Sequence, residues 1–371
     1  MRISEPYIIF PRTLKSGKVV YYYQFRTDTG ARSTAKRTGC TSLSQAKRYC
    51  NKLYNQGEFK KNSSNTFSVY TKDFFSKDSQ FYLWKKASRM NITDSTLLNY
   101  SQILEYRLLP FFADVQICNI TRTLVKQWVI WASKKWSIKS VNNAQSVLNL
   151  ILKQAVDDEL LDFNPAMGLS FRRIEKKQRV LLTLEEIIQI YHSPLWKHEI
   201  SKNIFLLSTI TGMRVGEIIA LKQENIFETY IDVKHSYNKA VHQLGETKTH
   251  EKRLVPIPQG LTFLKANLGD IWIFEGNRKR PFNDSLIIKD LHYICECMGI
   301  DWKARGITIH SMRNFFISYM QMQNISQPKI RAVVGHKDST MTGLYTYWKP
   351  DMFPEIYEEQ LNLYKTIIKG V

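Results

Sequence analysis

Two short motifs in the second half of the chain place guanidinium groups where they could bind an anion. Arg214 ends the tetrapeptide TGMR and directly precedes an amphipathic helix. A positive charge at the positive end of a helix dipole is unfavourable, which indicates that an anion binds nearby. The alternative is an ordinary surface arginine at the start of a helix. His310 and Arg313 stand at i and i+3 in HSMR, so an imidazole and a second guanidinium share one helix face.

Three further residues with reactive side chains lie in the same half of the chain. Lys248 falls in a polar connection between two predicted strands, His336 follows a glycine just before a turn, and Tyr345 comes nine residues later. Each is common when taken alone, because a hairpin lysine is usually solvated and the chain has 19 tyrosines. Their order and spacing are therefore more informative than any single motif.

The order of these residues resembles that of the tyrosine recombinase, or phage integrase, family. The motifs read TGMRVGEIIALKQENI, TKTHEKRLVPIP, HSMRNFFIS and VVGHKDSTMTGLYTYW, within residues 180–350. The resemblance implies six catalytic residues: Arg214, Lys248, His310, Arg313, His336 and Tyr345. The sequence departs from the family pattern at Asn314, where a second histidine is frequent. Tyr347 is the alternative nucleophile, and the spacing from His336 favours Tyr345.

The reaction implied by this resemblance is cleavage and rejoining of DNA through a 3′-phosphotyrosine. Arg214 and Arg313 would bind the non-bridging phosphate oxygens, because a planar guanidinium pairs with phosphate through two hydrogen bonds. His310 and His336 would add hydrogen bonds to the same oxygens. Together these groups would offset the negative charge that gathers on the phosphate in the transition state.

Family resemblance also assigns the nucleophile and the general acid. The Tyr345 phenol has an ordinary pKa of about 10, so nearby cations must favour its phenolate form. Lys248 would protonate the departing 5′-hydroxyl. Glu217, three residues after Arg214, is expected to orient Arg214 or a neighbouring histidine from behind.

Neither ATP nor a metal ion is expected, because the covalent intermediate keeps the energy of the broken bond. The sequence has no Walker motif and no set of carboxylates spaced for two magnesium ions. His235, His242 and His250 lie seven and eight residues apart, without cysteine partners or an HxxxH pair, and do not indicate a metal site. We therefore expect no cofactor.

The charge distribution favours a long anionic partner. The 371 residues carry a formal net charge of +20, and residues 1–62 hold 13 lysines and arginines against 3 acidic residues. A second basic stretch lies at 171–179; a solubilising surface is the alternative explanation for either one. The candidate DNA contacts are Arg32, Lys36 and Arg37 in the first stretch and Arg172, Arg173, Lys176 and Lys177 in the second.

Hydrophobic periodicity divides the chain into three segments and predicts a multidomain α+β protein. In residues 1–62, alternation over 19–26, a basic strand at 32–38 and a helix capped by Ser44 and running to about residue 56 predict a small three-stranded sheet with one helix. Residues 65–168 show helical periodicity throughout and predict four or five helices, one of them beginning at Thr93 or Asp94.

The third segment, 180–371, is predicted to be mainly helical with a small antiparallel sheet. Thr183 and Glu186 form a capping-box pattern at its start, and strands are expected at 230–233 and 253–257. A last amphipathic helix follows Tyr345. It could pack on its own domain, and the resemblance favours docking on a neighbouring protomer.

By the same resemblance, the three segments are an arm-type DNA-binding domain, a core-binding domain and a catalytic domain with a C-terminal docking helix. The implied protein is an integrase of a phage or integrative mobile element, acting as a homotetramer on double-stranded attachment sites. A requirement for a host DNA-bending protein or a directionality factor stays open. The alternatives are a monomeric type IB topoisomerase and a DNA-binding regulator without catalysis, and the intact set of six residues argues against the regulator.

Composition favours a folded protein of the cytoplasm, and the family resemblance implies a bacterial cell and association with nucleoid DNA. Hydrophobic residues make up 43% of the chain, which excludes wholesale disorder. No apolar run reaches the roughly 18 residues that a membrane-spanning helix needs, no signal-peptide pattern opens the chain, and no membrane partner is expected. The five cysteines form no CxxC pair, which favours free thiols in a reducing compartment.

Overall fold

The computed structural model describes residues 7–14, 16–25, 32, 34–56, 65–90, 92–169, 180–246, 253–265, 269–335 and 354–370. The chain divides into two compact units, Met1–Lys176 and Lys177–Val371. The division falls within the basic stretch at 171–179. The mixed α+β composition expected from the sequence is confirmed, with small antiparallel sheets among many helices.

The first unit opens with a three-stranded antiparallel sheet of order β1-β2-β3. The strands are β1 Tyr7–Thr13, β2 Val19–Phe25 and β3 Lys36–Arg37, and helix α1 spans Leu43–Gln56. The third strand is shorter than predicted, because among the described residues of 32–38 only Lys36 and Arg37 pair with β2 in the ladder. The predicted cap at Ser44 is wrong: the Ser42 hydroxyl accepts a hydrogen bond from the Gln45 amide at 3.3 Å, and the helix begins at Leu43, two residues earlier than a cap at Ser44 implies.

The sheet and α1 bury only a small apolar cluster. Tyr7 and Tyr23 of the sheet pack with Cys50 and Leu53 of α1, and Phe163 near the end of the helical segment 65–168 completes the cluster. The Tyr7 hydroxyl donates to the Asn51 side chain at 2.8 Å, which ties β1 to the helix. A domain this small buries little of its own surface, so the added phenylalanine is a sizeable part of its core.

Among the described residues, six α-helices form the rest of the first unit, where four or five were predicted; two of the six are very short. They are α2 Phe67–Thr71, α3 Gln80–Ala87, α4 Asp94–Ile103, α5 Leu109–Phe112, α6 Arg122–Ser133 and α7 Ile138–Asp157. Thr93 is the N-cap of α4, as predicted. A π-helical turn over Leu104–Leu108 joins α4 to α5 just before Pro110, a residue that has no amide hydrogen to continue the α pattern. One face of α7 is buried, including Val141, Leu148 and Leu152.

The second unit has two separate two-stranded antiparallel sheets. Strand β4 Tyr230–Val233 pairs with β7 Arg253–Pro256, so that Val233 lies opposite Arg253. These are the two strands predicted from the sequence, the second ending one residue early. The polar stretch between them was expected to be a plain connection. Part of it instead folds as a further hairpin of β5 His235–Asn238 and β6 Gln243–Glu246.

Helices surround these sheets and build one large core around α9. They are α8 Leu184–His192, α9 Glu199–Thr211, α10 Val215–Ile218, α11 Thr262–Lys265, α12 Asp284–Cys297, α13 Trp302–Arg305, α14 His310–Met322, α15 Gln327–Val334 and α16 Pro354–Lys369. Helix α9 is buried over most of its length, and α8, α12, α14 and α16 pack against it. It therefore fixes the segments that carry the TGMR and HSMR motifs.

The last helix, α16, packs on α8 and α9 of its own chain. Ile356, Leu363 and Ile367 are fully buried there, and the His192 ring nitrogen hydrogen-bonds the Ile367 carbonyl at 2.8 Å. A second anchor is the ion pair between Lys329 and Glu355.

Among the described residues, no helix is both long enough and apolar enough to cross a membrane.

Candidate active site

Arg214 lies at the junction between two helices that are held tightly in place. Helix α9 ends at Gly212 in the left-handed conformation (φ 64°), and Arg214 is the N-cap of α10. A Cβ atom at Gly212 would lie 2.5 Å from Phe316 Cδ1 and 3.0 Å from Val334 Cγ1. Only glycine fits this backbone conformation and this space, so the end of α9 can press against α14 and α15.

Glu217 binds both ends of Arg214. The Arg214 Nη1 group donates to Glu217 Oε1 at 2.8 Å, and the Arg214 backbone amide donates to Oε2 at 2.9 Å. The Glu217 side chain is fully buried, while 22% of the Arg214 side chain is exposed. The second terminal nitrogen of Arg214 donates to the Gly335 carbonyl at 2.9 Å. Arg214 therefore joins the start of α10 to the end of α15.

A third arginine, Arg253, completes this cluster and was not singled out in the sequence. Its Nη1 and Nη2 groups donate to Glu217 Oε1 and Oε2 at 3.0 and 2.7 Å, and its Nε group donates to the Val333 carbonyl at 2.8 Å. A sequence signal did exist: in a strand, Arg253 shares a face with Val255 and Ile257, both of which are buried. A charged residue on a core-facing side needs a buried partner.

The charge of Glu217 is maintained by its two arginine partners. Burial alone would raise the pKa of this carboxyl group, because it removes the carboxylate from water. The hydrogen bonds and charges of Arg253 and Arg214 outweigh that effect and hold the pKa at about 2. Glu217 is therefore ionised at neutral pH and is shared between two cations.

Arg313, on α14, is a buried guanidinium with few partners. Its side chain is 1% exposed, and its Nη1 group donates to the Gly212 carbonyl at 2.8 Å. Its Nε and Nη2 groups are buried and have no hydrogen-bond partner among the described residues. Burial, with the charges of Arg214 and Arg253, lowers the pKa of Arg313 to about 9, against the opposing charge of Glu217. The group stays protonated at neutral pH.

Three guanidiniums and one carboxylate give this cluster a net charge of +2 in a largely buried setting. Two donors of Arg313 lack a partner within the described ranges, and part of Arg214 reaches the surface. Guanidinium groups arranged in this way suit an oxyanion such as a phosphate diester, which accepts several charge-assisted hydrogen bonds at once. His310 is exposed at the first residue of α14, one helical turn before Arg313.

The end of α15 contacts two arginines of the cluster, the partly exposed Arg214 and the buried Arg253. Gly335 ends the helix in the left-handed conformation (φ 68°), and a Cβ atom there would lie 3.0 Å from Arg253 Cζ and Nη1. The chain then continues to His336, which lies outside the described residues. Also outside them are Lys248, Tyr345, Tyr347, Arg172, Arg173, Lys176 and Lys177. The structure thus brings together Arg214, Glu217 and Arg313, with Arg253 added.

Comparison with known proteins identifies the family of the chain. Residues 181–351 match the phage integrase family, and residues 79–130 match the phage integrase N-terminal SAM-like domain. The chain belongs to the phage integrase family. The first match spans all six of the expected catalytic positions, including the three that the structure does not describe.

Individual relatives agree with this assignment. The prophage ps2 probable integrase of Lactococcus lactis subsp. lactis is 26% identical over 340 residues, which are 81% of this chain and 85% of the relative. A lambda integrase dimer bound to a COC′ core site has the same fold, with a TM-score of 0.57 and 17% identity over 91% of this chain and 96% of the other. A lambda integrase tetramer bound to a Holliday junction gives a TM-score of 0.55 and 18% identity over 91% and 98%.

The remaining candidate DNA contacts of this integrase-family chain lie on its N-terminal sheet. Arg32, Lys36 and Arg37 are all solvent-exposed, the last two on β3. Within the described ranges, no group of three or more histidine, cysteine, aspartate or glutamate side chains could hold a metal ion.

Proposed function

We propose that this protein is a site-specific DNA recombinase, the integrase of a phage or integrative mobile element. It cuts and rejoins duplex DNA through a 3′-phosphotyrosine intermediate. The observation that carries the proposal is the cluster of Arg214, Arg253 and Arg313 around one carboxylate, with two buried Arg313 donors unpartnered among the described residues. Membership of the phage integrase family supports the same activity.

In this proposal the scissile phosphate binds where Arg214 and Arg313 converge. The Nε and Nη2 groups of Arg313 donate to non-bridging oxygens, and Arg214 approaches from the solvent side. Phosphate binding relieves the burial of an unmatched positive charge, and the attraction grows as negative charge accumulates in the transition state. His310 and His336 add donors at the same oxygens. Glu217 keeps the arginines in place without touching the phosphate.

The covalent steps use the two remaining members of the set. Tyr345 attacks the phosphorus atom as the phenolate that the surrounding cations favour, and the departing 5′-oxygen takes its proton from Lys248. A 5′-hydroxyl from the exchanged strand then attacks the phosphotyrosine, its proton returns to Lys248, and Tyr345 leaves as the phenolate. The energy of the diester is kept throughout, so neither a metal ion nor a nucleotide cofactor takes part.

The three segments of the chain have different roles in DNA binding and catalysis. We assign residues 1–62 to arm-type sites, 65–168 to the core site, and 180–371 to catalysis. Arg32, Lys36 and Arg37 serve the arm sites, and Arg172, Arg173, Lys176 and Lys177 follow the DNA backbone between the segments. The likeness of fold to a lambda integrase dimer bound to a core site supports this arrangement.

The active assembly is a homotetramer on two duplexes, supported by the lambda integrase tetramer bound to a Holliday junction. In that assembly α16 exchanges its position on α8 and α9 for a site on the neighbouring protomer. A host DNA-bending protein and a directionality factor are candidate partners of this complex, which forms on DNA in the bacterial cytoplasm. A monomeric topoisomerase or a catalytically silent regulator fits less well, because the relatives and the residue set belong to integrases.

The test is recombination between two attachment sites by the purified full-length protein in the presence of EDTA. We expect strand exchange and a covalent protein–DNA adduct with no added metal ion. A topoisomerase would relax supercoiled DNA without exchanging sites, and a regulator would bind without cutting. A strict requirement for magnesium would contradict the proposed chemistry.

A further inference from the structure

We propose that Arg253 is a positioning residue of the cleavage reaction, which fixes both Arg214 and the end of α15 without touching DNA. The proposal rests on the recombinase function given above. Arg253 is 8% exposed and bonds to two partners, the Glu217 carboxylate and the Val333 carbonyl. Those two partners lie 36 and 80 residues away in the sequence.

The first link runs through Glu217 to Arg214. Each Glu217 oxygen accepts one hydrogen bond from Arg253 and one from Arg214, so the carboxylate is held by four donors between 2.7 and 3.0 Å. With four donors on two oxygens, the carboxylate has a single orientation. The Arg214 guanidinium, which binds that carboxylate through Nη1, is oriented in turn.

The second link runs to the end of α15. The Nε group of Arg253 donates to the Val333 carbonyl, and the guanidinium packs below Gly335, whose carbonyl accepts Nη2 of Arg214. His336 is the next residue along the chain. Arg253 also begins β7, five residues after Lys248. One side chain therefore connects the segments that carry three of the proposed catalytic residues.

Loss of Arg253 should affect the rate of cleavage more than the binding of DNA. The Arg214–Glu217 ion pair persists, but the carboxylate loses two of its four donors and can rotate. A misplacement of a catalytic group by about 1 Å can cost on the order of 100-fold in rate. Because Arg253 does not contact DNA in this proposal, affinity should change little.

The chain offers a matched control in Arg305. That residue also binds a carboxylate through both terminal nitrogens, those of Glu186, and a backbone carbonyl, that of Leu181, although it reaches the carbonyl through Nη2 where Arg253 uses Nε. Its partners lie at the start of α8, which carries none of the six proposed catalytic residues. The pair is somewhat more exposed, with 19% of the Arg305 side chain and 22% of the Glu186 side chain accessible.

The experiment compares the full-length protein with Arg253→Met, Arg253→Lys, Arg305→Met and Arg305→Lys. The measurements are thermal unfolding, affinity for core-site DNA, and the single-turnover rate of covalent adduct formation at saturating DNA. We expect Arg253→Met to slow adduct formation by about 10- to 100-fold while affinity stays within about threefold. The cleavage rate of Arg253→Lys should lie between those of Arg253→Met and the unsubstituted protein, because lysine keeps the positive charge but cannot bind both carboxylate oxygens as a guanidinium does. Both Arg305 variants should cleave at the unsubstituted rate.

Two results would overturn the proposal. One is an unchanged cleavage rate in the Arg253 variants that fold, and the other is an equal loss in the Arg305 variants, which would indicate a general effect of stability. If Arg253→Met does not fold, the comparison of Arg253→Lys with Arg305→Lys decides. Absence of any adduct with the unsubstituted protein would instead contradict the recombinase function itself.

Discussion

At the scale of single residues, the site stores positive charge that the fold only partly balances. The single negative charge of Glu217 offsets only one of the three arginine charges. Arg313 is buried, and two of its donors have no partner within the described part of the chain. A buried charge without full compensation costs stability, and it is retained where a ligand supplies the missing partner. The same arrangement makes Glu217 the residue on which the integrity of the cluster depends.

Glu217→Gln is expected to lower the free energy of unfolding of the second unit by about 3–5 kcal/mol at pH 7, because it leaves two adjacent arginines without a buried counter-charge. Chemical denaturation measures this. Glu186→Gln is the control: its pair with Arg305 is partly exposed, and we expect a loss of about 1 kcal/mol or less. An equal effect of the two substitutions would contradict the account of Glu217.

The pH dependence of that difference follows from the lowered pKa of Glu217. The pKa of Glu217 is lower in the folded chain than in the unfolded chain, so ionisation of this carboxyl group stabilises the fold. That stabilisation is complete above the ordinary glutamate pKa of 4.5 and is lost as the pH falls towards about 2. The stability gap between the unsubstituted protein and Glu217→Gln should therefore narrow between pH 5 and about pH 2. A stability gap that stays constant over this pH range would show that the ionisation of Glu217 is not the source of the difference.

At the scale of elements, the ends of α9 and α15 set the geometry of the site. Both helices end in a glycine with a left-handed backbone, and both glycines lie against side chains from other motifs. The Gly212 carbonyl also accepts the only Arg313 hydrogen bond found among the described residues. A change at either helix end should thus disturb packing and catalysis together.

Gly212→Ala is expected to destabilise the second unit by about 2–4 kcal/mol, from overpacking against Phe316 and Val334 as well as backbone strain. Gly306→Ala is the matched control. Gly306 ends α13 with nearly the same φ, 65° against 64°, and nothing lies within 4 Å of its added Cβ atom. Strain alone should cost about 1 kcal/mol there. Chemical denaturation measures both free energies of unfolding. Equal losses in Gly212→Ala and Gly306→Ala would contradict the tight packing around Gly212.

Elements with a local sequence signal were predictable. The Thr183–Glu186 capping box is present, with reciprocal hydrogen bonds of 2.9 and 3.2 Å, and the strand predicted from alternation over 19–26 is present as β2. The hairpin of β5 and β6 was not predicted, because two polar four-residue strands show too little alternation. The cap at Ser42 was not predicted because neighbouring serines give the same signal.

The candidate active site was predictable only in part, because some of its contacts join residues that are far apart in the sequence. The order of motifs identified the family and the candidate residues, since those motifs are read along the chain. The role of Arg253 depends on partners 36 and 80 residues away, and a single sequence does not show which carboxylate or carbonyl will meet it.

At the scale of the whole molecule, charge and division into units favour a protein that meets DNA at more than one place. The net charge is +20, and the boundary between the two compact units falls in a basic stretch. Exposed arginines and lysines on the N-terminal sheet add a separate basic surface. Such surfaces bind the phosphate backbone by releasing counterions, which makes binding depend strongly on salt.

Replacing Arg32, Lys36 and Arg37 with alanine together should flatten the salt dependence of binding to DNA that carries arm sites. Removing one phosphate contact reduces the slope of log K against log salt by roughly 0.9, so a change of up to about 2.7 is expected for three. Core-site DNA without arm sites is the control and should show an unchanged slope. An unchanged slope on both DNAs would mean that this sheet does not contact DNA.

The central claim is that Tyr345 becomes covalently bonded to a DNA phosphate held by the arginine cluster. The most direct measurement is to trap the adduct on a nicked substrate and identify the modified peptide by mass spectrometry, with Tyr345→Phe and Tyr347→Phe in parallel. We predict that the DNA is attached at Tyr345, that Tyr347→Phe still forms the adduct, and that Tyr345→Phe binds DNA without forming one. An adduct that persists in Tyr345→Phe would contradict the account.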